Sequence, residues 1–458
     1  MGLLAFSGYK LLLGGLFFWL IQSMAGSAWG QPHGKPATNL LTLEQALDSA
    51  WRDNRLVKNA VLEVGKLEDL TSAARTRRLP NFNLTFLSSL QISELDPNFQ
   101  GAVFGAIPVF LPSLPRDYTA RTIRRPEYFT IGQLTQPIFQ QYKISLNISL
   151  HQIMRDMAQE KVRAQRQSSV NEVKKTYYGI IQTQSSLDTV AASIKFLQEL
   201  DRLTDKYVKT QVALKSENME VKAKLARAEH EAAILQNRLA SQKELLNDLM
   251  GREILTPFRV NPVPETTPGE NDLEGARTRA LSQRPETRES KLKIKQAEYD
   301  RRLKQAEYIP TLDFTLSYIN TANVELLPRN IGFAGLMLTW EPFDWGRKRK
   351  ELGEKSKAVV QAKNLSQEAD SQVLLEVNNA FRKLRETRSA IRAGQLDQEA
   401  RREKLREMLD KYKTGTVLLK DVLQAQSSLS EADKKYQDAI LSFWTAKAEF
   451  EKAVGEDK

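Results

Sequence analysis

The sequence predicts an α+β fold in which one series of elements (helix, strand, strand, long helical stretch) occurs twice along the chain. Three observations predict it: an internal sequence repeat, two long proline-free stretches with heptad patterning, and four short stretches of alternating apolar and polar residues. The chain has 458 residues, of which 41% are hydrophobic and 27% charged. That length is enough for more than one domain.

The first thirty residues differ from the rest and predict a signal peptide. Lys10 precedes an apolar run from Leu11 to Ile21, followed by small residues that allow cleavage after Ala28 or after Gly30. The run is shorter than the ~20 residues that a membrane-spanning helix needs, and no later segment reaches that length. Entry into a membrane would therefore have to use strands.

The internal repeat has a defined spacing. Leu43–Ala46 recurs as Leu273–Ala276, 230 residues later. Near the ends of the two halves the spacing falls to 204, where Leu249–Gly251 matches Ala453–Gly455. The first half therefore carries 26 extra residues, and we expect these, within Ser93–Arg125, to form an outward-facing loop.

The repeat also sets the domain boundaries. We expect a first repeat at residues 39–254, a linker with four prolines at 255–271, and a second repeat at 272–456. Thr42 and Asp272 occupy equivalent positions before the first helix of each repeat, and both residue types favour the N-cap.

Each half ends in a long helical stretch. No proline occurs in residues 138–256 or 343–458, so uninterrupted helices fit there. The helix over about 146–208 would be ~95 Å long, which suits a rod or tunnel. Apolar residues in steps of three and four predict coiled-coil packing seams rather than cofactor sites. In the first half these are Val221, Leu225, Ala228, Ala232, Leu235, Leu239, Leu246 and Leu249. In the second half they are Ala425, Leu429, Ala432, Tyr436, Ala439, Phe443, Ala446, Phe450 and Ala453.

Four strands are predicted, at Asn81–Ile92, Tyr128–Phe139, Thr311–Tyr318 and Ile331–Trp340. The first and third alternate apolar and polar residues, as in a membrane barrel with a wet lumen or in a two-sided soluble sheet. The signal peptide favours the barrel. Four strands cannot close a barrel, and lipid does not tolerate open edges, so several copies of the chain would have to share one barrel.

Composition excludes several other classes. The net charge of +11 arises from 67 basic and 56 acidic residues interleaved along helices, and no nucleic-acid-reading motif accompanies it. The chain has no cysteine, and its three histidines, His33, His151 and His230, lie far apart. We therefore expect no nucleic-acid partner, no metal site, no cofactor and no catalytic constellation.

Two groups of motifs resemble the TolC-like outer membrane efflux proteins. One is Leu41–Leu47 leading to Leu79-Pro80, repeated from Asp272 to Ile309-Pro310. The other is Trp340–Arg347, with Tyr412–Gly415 and Asp421–Leu423 further on. The resemblance covers essentially everything after the signal peptide.

The resemblance implies a homotrimer with four strands per chain in an outer-membrane β-barrel, continued by a long periplasmic α-helical coiled-coil tunnel. It further implies contact with outer-membrane lipid, with a periplasmic adaptor protein and, through the adaptor, with an inner-membrane pump. The substrate would leave chemically unchanged, so an enzyme is not expected.

The resemblance also implies candidate site residues. A periplasmic gate would use Tyr412, Asp421 and Gln424, and Asp421 could instead cap a helix that starts near Leu423. A hairpin tip contacting the adaptor would comprise Thr414, Gly415, Thr416 and Val417, with Gly415 at positive φ.

The sequence departs from the family pattern at several positions. Val417 and Gln424 replace a basic and an acidic residue, which weakens the expected gate. The first tip has Gln211 where the second has Gly415, so we expect it to turn differently.

A periplasmic coiled-coil adaptor of the membrane-fusion type is the main alternative, and a secreted enzyme is a third. The adaptor would not explain the duplicated strand pairs. The sequence does not identify the exported substrate, the pump or adaptor, or the route among drug efflux, metal efflux and protein secretion.

Overall fold

The computed structural model describes residues 39–90, 126–211, 214–262, 272–324 and 328–457. The expected signal peptide and the expected loop at 93–125 lie outside these residues. Each half contributes a pair of shorter helices, two strands and a hairpin of two long helices.

The elements of the first half, in chain order, are β1 (Asn39–Leu41), α1 (Leu43–Asp53), α2 (Arg55–Thr76), β2 (Asn81–Leu90), β3 (Pro126–Pro137), α3 (Gln141–Lys209) and α4 (Lys215–Leu249). After them come β4 (Phe258–Val260), α5 (Leu273–Gln283), α6 (Pro285–Gln305), β5 (Thr311–Ala322), β6 (Asn330–Thr339), α7 (Arg347–Lys413) and α8 (Leu419–Val454). A short 3₁₀ turn, Ala306–Tyr308, follows α6.

The first helix of each half begins at the predicted polar cap. The Thr42 hydroxyl accepts from the Gln45 backbone N–H at 3.3 Å. The Asp272 carboxylate accepts from two backbone N–H groups at the start of α5, at 3.1 and 2.9 Å. Asn54 ends α1 and caps α2, while Arg284 takes the same place between α5 and α6. The duplication therefore includes a break in the short helical arm of each half.

The long helices pair within each half, α3 with α4 and α7 with α8, and α3 also packs on α8. At 69 and 67 residues, α3 and α7 are each ~100 Å long. The predicted seam of α8 is mostly buried and contributes Phe443, Phe450 and Ala453 to a core with α7 and α5. Gly394 lets α7 and α8 approach closely, since a Cβ there would lie 3.2 Å from the Tyr436 Cα. Among the described residues, no helix is long and apolar enough to cross a membrane.

The four long strands form one antiparallel sheet in the order β2-β3-β5-β6. On β5, Phe314, Leu316 and Tyr318 point to the exposed face, whereas Asp313 and Ser317 are buried on the other face. Alternation of this kind is the pattern that the sequence predicted. Strands β2 and β6 are the two edges of the sheet within the described residues.

A second, two-stranded sheet joins β1 to β4 in parallel. The Tyr177 hydroxyl of α3 lies 2.9 Å from the Leu41 carbonyl and accepts from the Asn261 N–H at 3.0 Å. Burial raises the pKa of Tyr177. This contact fixes the start of the inter-repeat segment against the first long hairpin.

Candidate functional site at the hairpin tips

The second tip, between α7 and α8, closes through a Schellman motif. Gly415 has φ of 74°, and its N–H donates to the Tyr412 carbonyl at 3.0 Å. The Thr416 N–H donates to the Lys411 carbonyl at 2.9 Å. These two bonds satisfy carbonyls that the helix end leaves free, and they require a left-handed residue that glycine adopts without a Cβ clash.

The threonine hydroxyls of this tip form hydrogen bonds within the tip itself. The Thr416 hydroxyl donates to the Lys411 carbonyl at 2.8 Å, and the Thr414 hydroxyl donates to the same oxygen at 2.9 Å. Next to them Leu418, the residue before α8, is 68% exposed. The tip therefore presents an exposed apolar side chain beside a closed set of hydrogen bonds.

Asp421 lies in the first turn of α8 and acts as a cap. Its carboxylate accepts from the Leu418 backbone N–H at 3.1 Å. The helix begins at Leu419, so the expectation of a start near Leu423 is wrong. The reason is that Leu418 already has the extended conformation of an N-cap, and the Asp421 carboxylate satisfies its N–H. Asp421 and Gln424, one turn apart, are both exposed.

Tyr412 lies apart from that exposed pair. It is half-buried, and its ring centroid is 6.3 Å from that of Tyr207 on α3. It packs against two buried apolar clusters, one containing Leu419 and the other Val422. Burial, together with the nearby Glu217 carboxylate and Tyr207, raises the pKa of Tyr412. In the described part of the chain, no hydrogen bond joins its hydroxyl to Asp421 or Gln424.

In its described residues, the first tip, between α3 and α4, shares the left-handed residue and one of the two backbone hydrogen bonds of the second tip. Gln211 has φ of 60° and donates its N–H to the Val208 carbonyl at 3.1 Å. The expectation that this tip turns differently is therefore wrong for the residues that the structure describes. Glutamine takes the left-handed conformation despite its Cβ. Glu217 accepts from the Leu214 N–H at 3.2 Å, as Asp421 does from Leu418.

The first tip also holds a polar cluster that sequence reasoning missed. The buried Asn218 amide donates to the Asp201 carboxylate and to the Thr204 hydroxyl, both at 3.0 Å. Val422 occupies the equivalent position of the second tip, 204 residues later, and is fully buried. Carrying the 204-residue spacing through the tips would have paired Asn218 with Val422, Glu217 with Asp421, and Leu214 with Leu418.

The long helices α3 and α7 form two rods. In the ranges that the structure describes, no three His, Asp or Glu side chains are grouped as metal ligands would be. Helices about 100 Å long, α3 and α7, that continue from a sheet with an apolar face are typical of a tunnel protein anchored in a membrane.

Comparison with known proteins gives the family. Residues 46–252 and 276–456 match the family model of outer membrane efflux proteins. Among solved structures, the outer membrane channel CmeC of Campylobacter jejuni aligns with a TM-score of 0.76 at 15% identity, over 90% of this chain and 85% of that one. VceC, an outer membrane protein of Vibrio cholerae, gives 0.72 at 15%, over 90% and 96%. The open state of the MtrE outer membrane channel of Neisseria gonorrhoeae gives 0.68 at 17%, over 90% and 88%. The sequence finds no match among curated proteins.

The chain belongs to the outer membrane efflux protein family. It is an exit duct of efflux systems that lies in the outer membrane and extends into the periplasm. The alternative of a periplasmic adaptor is not favoured.

Proposed function

We propose that three copies of the chain form one closed duct, which passively conducts substrates from a periplasmic adaptor and an inner-membrane pump to the exterior. The observation that carries the proposal is the four-stranded sheet with its two open edges, β2 and β6. Unpaired backbone groups are not tolerated in lipid, so each edge needs a strand from another copy. Three copies would give a barrel of twelve strands, an even number as bacterial barrels have.

The helices support the same closure. Helix α6 packs on α7 of its own half and on α3 of the other half. Its counterpart in the first half, α2, packs on α3 of its own half. By analogy with α6, a copy of α7 should lie on the other side of α2, and that α7 has to come from a neighbouring copy. Both surfaces expose large apolar side chains, among them Leu62 on α2 and Leu365 on α7. A contact between different faces that closes by rotation gives a ring.

Mass measurement in mild detergent tests the ring. We expect a trimer, and a monomer that retains its full strand signal would contradict the proposal. Leu62→Glu should shift the equilibrium toward monomers while leaving the helical content unchanged, because Leu62 is largely exposed in the single chain and would be covered by the neighbouring copy.

We further propose that the tip segment Thr414–Val417 docks the adaptor. The support is the exposed Leu418 beside it and the closed hydrogen bonds of the two threonines, which leave an apolar surface for a partner helix. A Cβ built on Gly415 meets nothing within 4 Å, so a large side chain there has room and its cost is the strain of a left-handed backbone. Gly415→Trp should leave trimers intact and abolish export. Gln211→Trp, at the first tip, is the matched variant and shows whether both tips dock. Loss of the trimer in Gly415→Trp would favour a purely structural turn.

The gate is proposed at Asp421, with Gln424 on the same exposed side and Tyr412 packed behind it. Three-fold symmetry would bring three Asp421 carboxylates into a ring, which favours cations and binds divalent ions when narrow. Because Asp421 also caps α8, a stability effect alone proves nothing about the gate. Glu217 makes the same capping bond at the first tip and is the matched control.

Single-channel recording in planar bilayers separates the two roles. Asp421→Asn should reduce cation preference and divalent block, whereas Glu217→Gln should leave both unchanged. Unchanged cation preference and divalent block in Asp421→Asn would mean that Asp421 is only a cap and that the gate lies elsewhere.

A further inference from the structure

The four junctions between strands and helices lie at one end of the sheet. The antiparallel register pairs Asn81 with Thr135, Pro137 with Asp313, and Thr311 with Thr339. The end of α2, the start of α3, the end of α6 and the start of α7 therefore meet at one level, directly below the strands.

At this level the chain exposes a set of large apolar side chains that we name the collar: Leu79, Phe139, Tyr142, Trp340, Phe343 and Trp345. Trp345 is 90% exposed, and its ring lies edge-on to that of Phe343 at 4.8 Å between centroids. Its φ is 55°, a conformation that side chains with a Cβ rarely adopt. The backbone thus holds an indole outward at some steric cost.

Basic side chains flank the collar on its helical side. Arg75 and Arg77 end α2, and Arg349 and Lys350 lie in the first turn of α7; all four are exposed. Within the described ranges, none of the four has a carboxylate at ion-pair distance.

At the junction between β6 and α7, the acidic side chains already bind other groups of the chain. Asp344 accepts from the backbone N–H groups of Gly346 and Lys348, at 3.0 and 2.8 Å, at the start of α7. Glu341 and Glu351 both pair with Arg347. The charge that remains uncompensated at the collar is therefore positive.

We propose that the collar binds the headgroups of acidic phospholipids in the periplasmic leaflet of the outer membrane. Aromatic rings favour the level of the headgroups, above which the apolar faces of the strands meet the acyl chains. Arginine and lysine extend their heads to the phosphates and attract anionic lipid. In a ring of identical copies the same four cations recur at every junction, and anionic headgroups complement their charge. The inference rests on the proposed barrel.

The test uses the full-length protein in mild detergent with native mass spectrometry, after incubation with phosphatidylglycerol or with phosphatidylcholine. Arg349→Gln/Lys350→Gln should weaken retention of phosphatidylglycerol by about fivefold for each charge removed, and should leave phosphatidylcholine unaffected. Lys222→Gln/Arg227→Gln, the same change on α4 far from the sheet, is the control and should behave as the parent protein. Equal retention in both double variants would overturn the proposal.

Fluorescence quenching tests whether lipid covers Trp345 of the collar. The part of the tryptophan emission that is lost in Trp345→Phe should be quenched by phospholipids brominated near the headgroup in reconstituted vesicles. Unquenched emission would mean that a second copy covers Trp345, and the proposal would fail. The mass of the assembly is measured in the same samples. A trimer that does not select anionic lipid would contradict only the proposed lipid binding by the collar. A monomer would contradict the proposed trimeric duct.

Discussion

The two hairpin tips of one chain share the backbone features of their described residues and differ in their interiors. Each ends its first helix at a threonine, continues through a left-handed residue, and starts its second helix at a leucine whose N–H is held by an acidic side chain. Inside the first tip the space is filled by the hydrogen-bonded Asn218, and inside the second by the apolar Val422. The turn geometry is set by backbone hydrogen bonds, so the side chains of the two copies could diverge without changing it.

The largest loss of stability is expected from exchanging the buried residues of the two tips, Asn218 and Val422. Val422→Asn would bury an amide with no partner in an apolar cluster, at a cost of about 3 kcal/mol. Asn218→Val removes two hydrogen bonds but gains apolar burial, so we expect a cost of about 1 kcal/mol. Native-state hydrogen exchange of α4 and α8 near the tips measures both. Equal costs would show that the two interiors are interchangeable.

A smaller effect is expected at the left-handed residue. Gly415→Gln should destabilise the second tip by about 0.5–1 kcal/mol, since the steric cost of left-handed backbone exceeds the entropy gained by removing glycine from the unfolded chain. Gln211→Gly should stabilise the first tip by a similar amount. The same exchange measurement applies, and a neutral Gly415→Gln would show that the second tip relaxes out of the Schellman motif.

The smallest effect is a pH dependence confined to the tips. Because the pKa of Tyr412 is raised in the folded protein, the fold favours the protonated phenol. Its contribution is complete below pH 10 and is lost as the pH rises through the folded pKa. We expect exchange at the tips to speed up above pH 10 in the parent protein and less so in Tyr412→Phe. Tyr299→Phe, on α6, is the control and should keep the full alkaline response.

The sequence predicted the architecture well, because the features that specify it are periodic and local. The repeat, the proline-free stretches and the alternation of β5 each depend on residues close in sequence, and the caps at Thr42 and Asp272 appear where expected. Strand ends differ by a few residues: β3 begins at Pro126 and β6 at Asn330.

The site was predicted less well, since it depends on contacts between distant segments. Tyr412 meets Tyr207 across two hairpins, and the Asn218 amide meets Asp201 seventeen residues away. No local pattern marks either contact. At Gln211, residue preference pointed away from the left-handed conformation, and the hydrogen bonds of the turn outweighed it.

The length of α7 has a consequence for how the two ends of the molecule can communicate. A helix of 67 residues, ~100 Å long, acts as a lever between the sheet and the tip. A tilt of about 3° at the strand–helix junction displaces the tip by roughly 5 Å, about the width of one helical turn. A rearrangement at the membrane that is too small to break a single hydrogen bond of the sheet is therefore large enough, at the far end, to separate two packed side chains.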